Sequence, residues 1–178
     1  MMFNVTTFAT HVDAVDSAVT NQEKGNSLEE LSKYLFNCID GIEVRETNVN
    51  GPSEEVDLLL WNAKSSEVFE PWDNLISVEC KNWTNPAGSH LIDNFAAKIR
   101  VKHLTTGIFI AANGVTGDFV NGDNQNRGAV YRLHEHLTRD GVRIVVVRMD
   151  DLRGLADIND FLELIKDRYC KIYMHRVF

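Results

Sequence analysis

The chain is short of the residues that staple or punctuate small proteins, with three cysteines and three prolines in 178 residues. Cys38, Cys80 and Cys170 are odd in number and far apart. That excludes a fully paired disulfide framework and gives no zinc-ligand spacing, so a reducing cytoplasm is the expected compartment. No apolar run approaches the ~20 residues that span a bilayer, and no membrane association is expected. Residues 1–10 have neither a basic n-region nor an apolar h-region, so no signal peptide is expected. Walker A, Rossmann glycine and nucleophile-elbow patterns are all missing from the sequence. Basic charge is also scarce: 18 Lys and Arg stand against 26 Asp and Glu, for a net charge of −8. That argues against a phosphate-binding surface spread over the whole protein, though not against a local one.

Hydrophobic periodicity, by contrast, is plentiful. The hydrophobic share of 44% and charged share of 25% are ordinary for a globular protein, and the length suffices for one sizeable core. Phe8, Val12, Val15 and Val19 share one face of a helix expected over 8–24, packed on its own chain or offered to a partner. Gly25-Asn26-Ser27 reads as a break. Ser27 and Glu30 then read as a capping box opening a second helix, marked by Leu28, Leu31, Leu35 and Ile39. Strands are expected over 42–48, 55–61 and 75–81, with a long connection through Pro71 and Trp72 between the last two. A helix over 89–103 follows. Gly107 to Ala112 and Ile144 to Val147 are apolar runs suited to strands buried on both faces, separated by a polar-rich helix over 123–139. Short helices at 150–155 and 159–168 close the chain. This order of elements, α-α-β-β-β-α-β-α-β-α, predicts an α/β fold, an α+β mixed sheet flanked by helices.

Charges interrupt two of these apolar runs, where an unpaired charge is costly. Asp57 stands near the start of Glu55 to Trp61. Alternation along 76–81 puts Ser77, Glu79 and Lys81 on one face and Ile76, Val78 and Cys80 on the other. Glu79 and Lys81 therefore point the same way, roughly 7 Å apart at the Cα level. If the two strands pair, Asp57 lies beside Glu79. Adjacent carboxylates repel unless one is protonated or a cation lies between them, and oxygen ligands of this kind suit Mg²⁺. A lysine beside such an ion orients or deprotonates a water, its pKa lowered by the cation and by burial. Metal, activated water and an electrostatic clamp together are phosphodiester-hydrolysis chemistry. The bland alternative is a strand-capping Asp57 and a Glu79–Lys81 surface pair worth under about 1 kcal/mol.

Six short motifs follow one another over residues 25–153: Leu28-Glu29-Glu30-Leu31, Val56-Asp57-Leu58, Val78-Glu79-Cys80-Lys81, Asn85-Pro86, Gly107-Ile108-Phe109-Ile110 and Val145 to Leu152. In this order they resemble the PD-(D/E)xK nuclease superfamily, and particularly Mrr-type restriction endonuclease domains. The resemblance implies a restriction endonuclease-like fold and a metal-dependent endonuclease. Asp57, Glu79 and the backbone carbonyl of Cys80 would be metal ligands, Lys81 the catalytic lysine and Glu29 the helix acid, with Glu30 a competing choice. It implies Mg²⁺ as cofactor, with Mn²⁺ able to substitute, DNA as substrate with RNA left open, and a role in prokaryotic defence. Residues 1–178 would then form a single domain: an N-terminal helix over 1–24, a nuclease-like core over 25–153 and a C-terminal helical extension over 154–178. One departure is Gly51-Pro52-Ser53-Glu54-Glu55, which replaces the family's glycine-rich loop and adds acid where a phosphate backbone should approach.

Lys98 and Lys102, one turn apart on the helix after the charged strands, are the expected phosphate contacts. Trp83 continues the alternating face of Lys81 and is an expected substrate contact, whereas Trp61 is expected in the core. His134 and His136, two apart on a helix, point about 200° from one another and cannot share an ion. Specificity is left to loops, to a second copy in a homodimer, or to a separate specificity or partner subunit. The alternative is a non-catalytic nucleic-acid-binding or assembly module that retains the fold.

Overall fold

The computed structural model describes residues 1–50, 55–117 and 128–174. Elements follow in the order α1 (Val5–Ser17), α2 (Asn21–Asn37), β1 (Ile42–Asn50), β2 (Glu55–Asn62), β3 (Leu75–Lys81), α3 (Ser89–Val101), β4 (Thr106–Ala111), α4 (Ala129–Asp140), β5 (Arg143–Val147), α5 (Met149–Arg153) and α6 (Ile158–Tyr173). The five strands form one mixed sheet in sequential order, antiparallel from β1 to β3 and parallel from β3 to β5. This is the expected α+β architecture of a restriction endonuclease-like fold. The acidic loop before Asp57, apart from Glu55, lies outside the described residues, as do 123–127 of the helix expected over 123–139.

The helical N-terminus differs from expectation. The break falls at Ala18 to Thr20, and Gly25, Asn26 and Ser27 lie inside α2. The capping box is made by Thr20 and Glu23 instead of Ser27 and Glu30. One glycine costs a helix about 1 kcal/mol. Burying Leu28, Leu31 and Leu35 on the same helix gains roughly 1.5–3 kcal/mol each. The helix therefore runs through the glycine, and Ser27 satisfies its hydroxyl on the Lys24 carbonyl. The apolar stripe of α1 is used internally, since Phe8 and Val15 are buried with α2 and Val12 packs against the same core. Val19 falls beyond the helix and is exposed. At the other end, α6 has 16 residues, longer than expected, because Phe161, Ile165, Arg168 and Ile172 extend one buried face and Asp157 caps its start.

The sheet faces are covered unequally. Leu58, Ile76, Val78, Ile108, Val145 and their neighbours pack with α1, α2, α5 and α6. On the opposite face Phe109, Ile144 and Val146 pack with α3 and α4. Helix α3 lies very close to β4, because a Cβ at Gly107 would come within 2.7 Å of Ile99 Cδ1 and 2.8 Å of Phe95 Cζ. Beyond β3 this second face is open. Trp61, on the same face as Asp57, is 41% exposed. The core position expected for it is taken by Trp72 of the β2–β3 connection, which stacks edge-on against Phe69.

Candidate active site

The recorded pairing of β2 with β3 runs from Trp61–Leu75 to Leu58–Val78. With Leu58 and Val78 directed to the larger core, alternation turns Asp57 and Glu79 to the other face, at the boundary between its open and helix-covered parts. Both acids are nearly sealed, at 8% and 6% exposure. Asp57 Oδ2 accepts the backbone N–H of Cys80 at 2.6 Å, so a carboxylate continues the hydrogen bonding between the strands where the recorded pairing ends. The Cys80 thiol points the other way, 3.5 Å from the Ser32 hydroxyl on α2, and burial pushes its pKa far up, leaving it neutral.

Two ammonium groups meet these acids. Lys81 Nζ lies 2.8 Å from Glu79 Oε1 and 3.5 Å from Asp57 Oδ2. Lys98 Nζ, reaching across from α3, lies 3.0 Å from Glu79 Oε1 and 2.8 Å from Oε2. Lys98 was expected to meet phosphate; here its ammonium clasps the central carboxylate. Lys102 caps α3 one turn further on, toward the start of β4.

Burial raises the Asp57 carboxyl pKa and the charge of Glu79 raises it further, against the opposing pull of Lys81, the Cys80 N–H and Lys98. Burial pulls Lys81 down, but Glu79 and Asp57 outweigh it and its pKa ends above the usual lysine value. The reason is that two carboxylates lie close enough to overcome desolvation.

The helix acids separate by geometry. Glu30 is 58% exposed at its side chain and pairs with Lys33 at 2.6 Å. Glu29 accepts from Asn48 Nδ2 at 3.3 Å. Its carboxyl pKa is raised first by burial and then by the charge of Asp57, with Asn48, Lys33 and Lys81 opposing. Glu29 therefore belongs to the electrostatic neighbourhood of Asp57 and Lys81. Trp83 stands exposed just past β3, its carbonyl held by Asn113 Nδ2 at 2.6 Å.

Among the described residues no group of three or more His, Cys, Asp and Glu side chains is gathered to hold a metal ion. The donor chemistry nonetheless fits a hydrated hard dication. Such an ion is commonly bound through one or two carboxylates and keeps several waters. Burial and, after it, the neighbouring charge of Glu79 both disfavour the Asp57 carboxylate, and a cation between the acids would offset both.

A second polar cluster, which no spacing along the chain announces, joins α3 to α4. His136 Nε2 lies 2.9 Å from Asp93 Oδ1 and its Nδ1 lies 3.0 Å from Asp140 Oδ2. Arg132 pairs with Asp93 at 2.6 Å, and Arg100 reaches both His136 and Asp140. His136 is buried, with both ring nitrogens engaged by these carboxylates.

Residues 20–121 match the model of the Mrr_cat family, described as a restriction endonuclease. That span runs from the N-cap of α2 past β4 and contains Glu29, Asp57, Glu79, Lys81 and Lys98. No curated protein and no solved structure matches the chain.

Proposed function

The chain belongs to the Mrr_cat restriction endonuclease family, and from that premise we propose that it is a Mg²⁺-dependent endonuclease hydrolysing phosphodiester bonds of DNA. The observation that carries this reading is the gathering of two buried carboxylates and a lysine, Asp57, Glu79 and Lys81, at the border of an open sheet face.

In this reading Asp57, Glu79 and the Cys80 carbonyl hold the ion, for which Mn²⁺ can substitute, and Glu29 supports it or its water through their shared field. Bound there, the ion supplies a Lewis acid for the phosphoryl oxygen and a more acidic water. Lys81, 2.8 Å from Glu79 and 3.5 Å from Asp57, orients the attacking water and stabilises the negative charge that builds on the phosphoryl oxygens. Asp57 keeps its position through the Cys80 N–H, which fixes one oxygen and leaves its carboxylate aimed across the strand gap. Trp83 stacks on a base of the bound strand, and Lys102 meets a phosphate further along. Sequence or structure specificity comes from loops, a second copy or a partner subunit, and a defence role against foreign DNA accords with the family.

One observation favours a second reading. Glu79 already has both oxygens engaged by ammonium groups, which suits a charge-balanced, non-catalytic module that binds nucleic acid. Incubation of supercoiled plasmid and single-stranded DNA with Mg²⁺ or Mn²⁺ separates the two. The nuclease nicks or linearises plasmid and loses that ability to chelator, whereas the binding module shifts DNA on a gel with the DNA left intact.

A further inference from the structure

We propose that Lys98 is a built-in counter-ion of the metal site: it holds Glu79 while the site lacks a metal, and a divalent cation must displace it from that carboxylate in order to bind. The inference rests on the reading of Asp57 and Glu79 as metal ligands.

Three observations point this way. First, the contact is bidentate and close. Lys98 Nζ lies 2.8 Å and 3.0 Å from the two oxygens of Glu79, and Lys81 takes Oε1 as well at 2.8 Å. A magnesium ion needs a carboxylate oxygen at about 2.0–2.1 Å, and it cannot share Oε2 with an ammonium at hydrogen-bond distance without strong like-charge repulsion. Second, Lys98 is not a loose surface lysine. Its side chain is 15% exposed, and its flanking helix is pressed onto β4 through Phe95 and Ile99 at Gly107. Third, the charges of Asp57 and Glu79 are already balanced by Lys81 and Lys98. A dication entering this set leaves two positive charges in excess, so the ammonium held by fewer acids is the first to be displaced. Lys81 lies on the same strand as Glu79 and is held by both acids, whereas Lys98 comes from another element and touches Glu79.

A released Lys98 remains on α3 beside the site, where a DNA phosphate oxygen is the replacement anion. Metal and DNA then bind cooperatively, because the phosphate that takes the Lys98 ammonium frees Glu79 for the ion. Phosphate contact and carboxylate contact become two positions of one side chain.

The test is Mn²⁺ affinity of the full chain, measured by calorimetry without DNA, for wild type, Lys98→Met, Lys98→Gln and Asp57→Ala. Thermal melts in chelator confirm that each is folded. Lys98→Gln keeps a hydrogen bond to Glu79 without the charge, so it carries the test if the methionine variant unfolds. The expected result is Mn²⁺ binding roughly tenfold tighter in the Lys98 variants than in wild type, and lost in Asp57→Ala. A lysine with a purely structural role gives the opposite sign, since its removal loosens the site. Equal or weaker binding by the Lys98 variants, with wild type binding through Asp57, overturns the counter-ion proposal alone. Absence of binding by every form, or binding that survives Asp57→Ala, overturns the metal-site reading and this proposal with it.

Discussion

The carboxylate of Asp57 accepts the backbone N–H of Cys80 at 2.6 Å, one position beyond the last recorded β2–β3 pair. One side chain thus has a structural task and a proposed catalytic one. The tasks differ in what they require, because an amide oxygen satisfies the N–H but carries no charge.

Asp57→Asn therefore separates them. Folding raises the proton affinity of Asp57, by burial first and Glu79 second. A raised carboxyl stabilises the fold at pH values below its unfolded pKa, and that contribution is lost as pH rises through the folded one. At neutral pH the charge is a burden that asparagine removes. The variant is expected to lose cleavage and, in chelator, to melt higher by roughly 2–4 °C for each kcal/mol relieved. Calorimetric melting at pH 7 checks the second part, and a lower melting temperature contradicts it.

Lys81→Met tests the assignment of Lys81 to the water and the transition-state charge. Glu79 retains Lys98, so the fold survives. Cleavage rate is expected to fall roughly 10²–10⁴-fold, with Mn²⁺ binding no weaker than in wild type. Loss of Mn²⁺ binding would make Lys81 an architectural support of the acids instead.

The two helix acids give a paired comparison. Glu29 shares the field of Asp57 and Lys81, while Glu30 pairs with Lys33 in solvent. Glu29→Gln is expected to slow plasmid cleavage at least about tenfold, and Glu30→Gln to stay within about twofold, since exposed pairs contribute under ~1 kcal/mol. Initial rates on one plasmid preparation settle it, and a larger effect at Glu30 reverses the assignment.

The α3–α4 clasp predicts acid sensitivity away from the site. Burial pushes the Asp93 carboxyl up, but hydrogen bonds from Arg132 and His136 outweigh it and leave its pKa lowered. Asp140 is lowered first by its bond to His136 and further by Arg100. Lowered carboxyls stabilise the fold above their unfolded values, near 3.9, and that contribution disappears as pH falls through the folded values. His136→Leu is expected to lower the melting temperature at pH 7 and to flatten its decline below about pH 4. An unchanged pH profile would show that the cluster contributes nothing to stability.

The parts of this protein legible in its sequence are those that depend on local periodicity. Alternation in 76–81 places Glu79 and Lys81 on one face, and the apolar runs at 107–112 and 144–147 become β4 and β5. The same rule would have put Trp61 with Asp57 on the open face, since the two are four residues apart on one strand. The start of α2 was obscured because Gly25-Asn26-Ser27 signals a break locally, while the burial that overrides it comes from contacts with the sheet. Lys98 reaches Glu79 because α3 approaches β4 closely at Gly107, a fact of packing that helical spacing does not encode. Asp93 and His136 are 43 positions apart, and only the docking of α3 on α4 brings them together.

The most direct test of the central claim is the initial rate at which purified wild type, Asp57→Ala and Lys81→Ala convert supercoiled plasmid in Mg²⁺ or Mn²⁺. Wild type is expected to nick or linearise the plasmid in a chelator-sensitive way, with both variants reduced at least about a hundredfold. Equal rates from all three, or an inert wild type beside intact DNA binding, would contradict the assignment of Asp57, Glu79 and Lys81 as a nuclease centre.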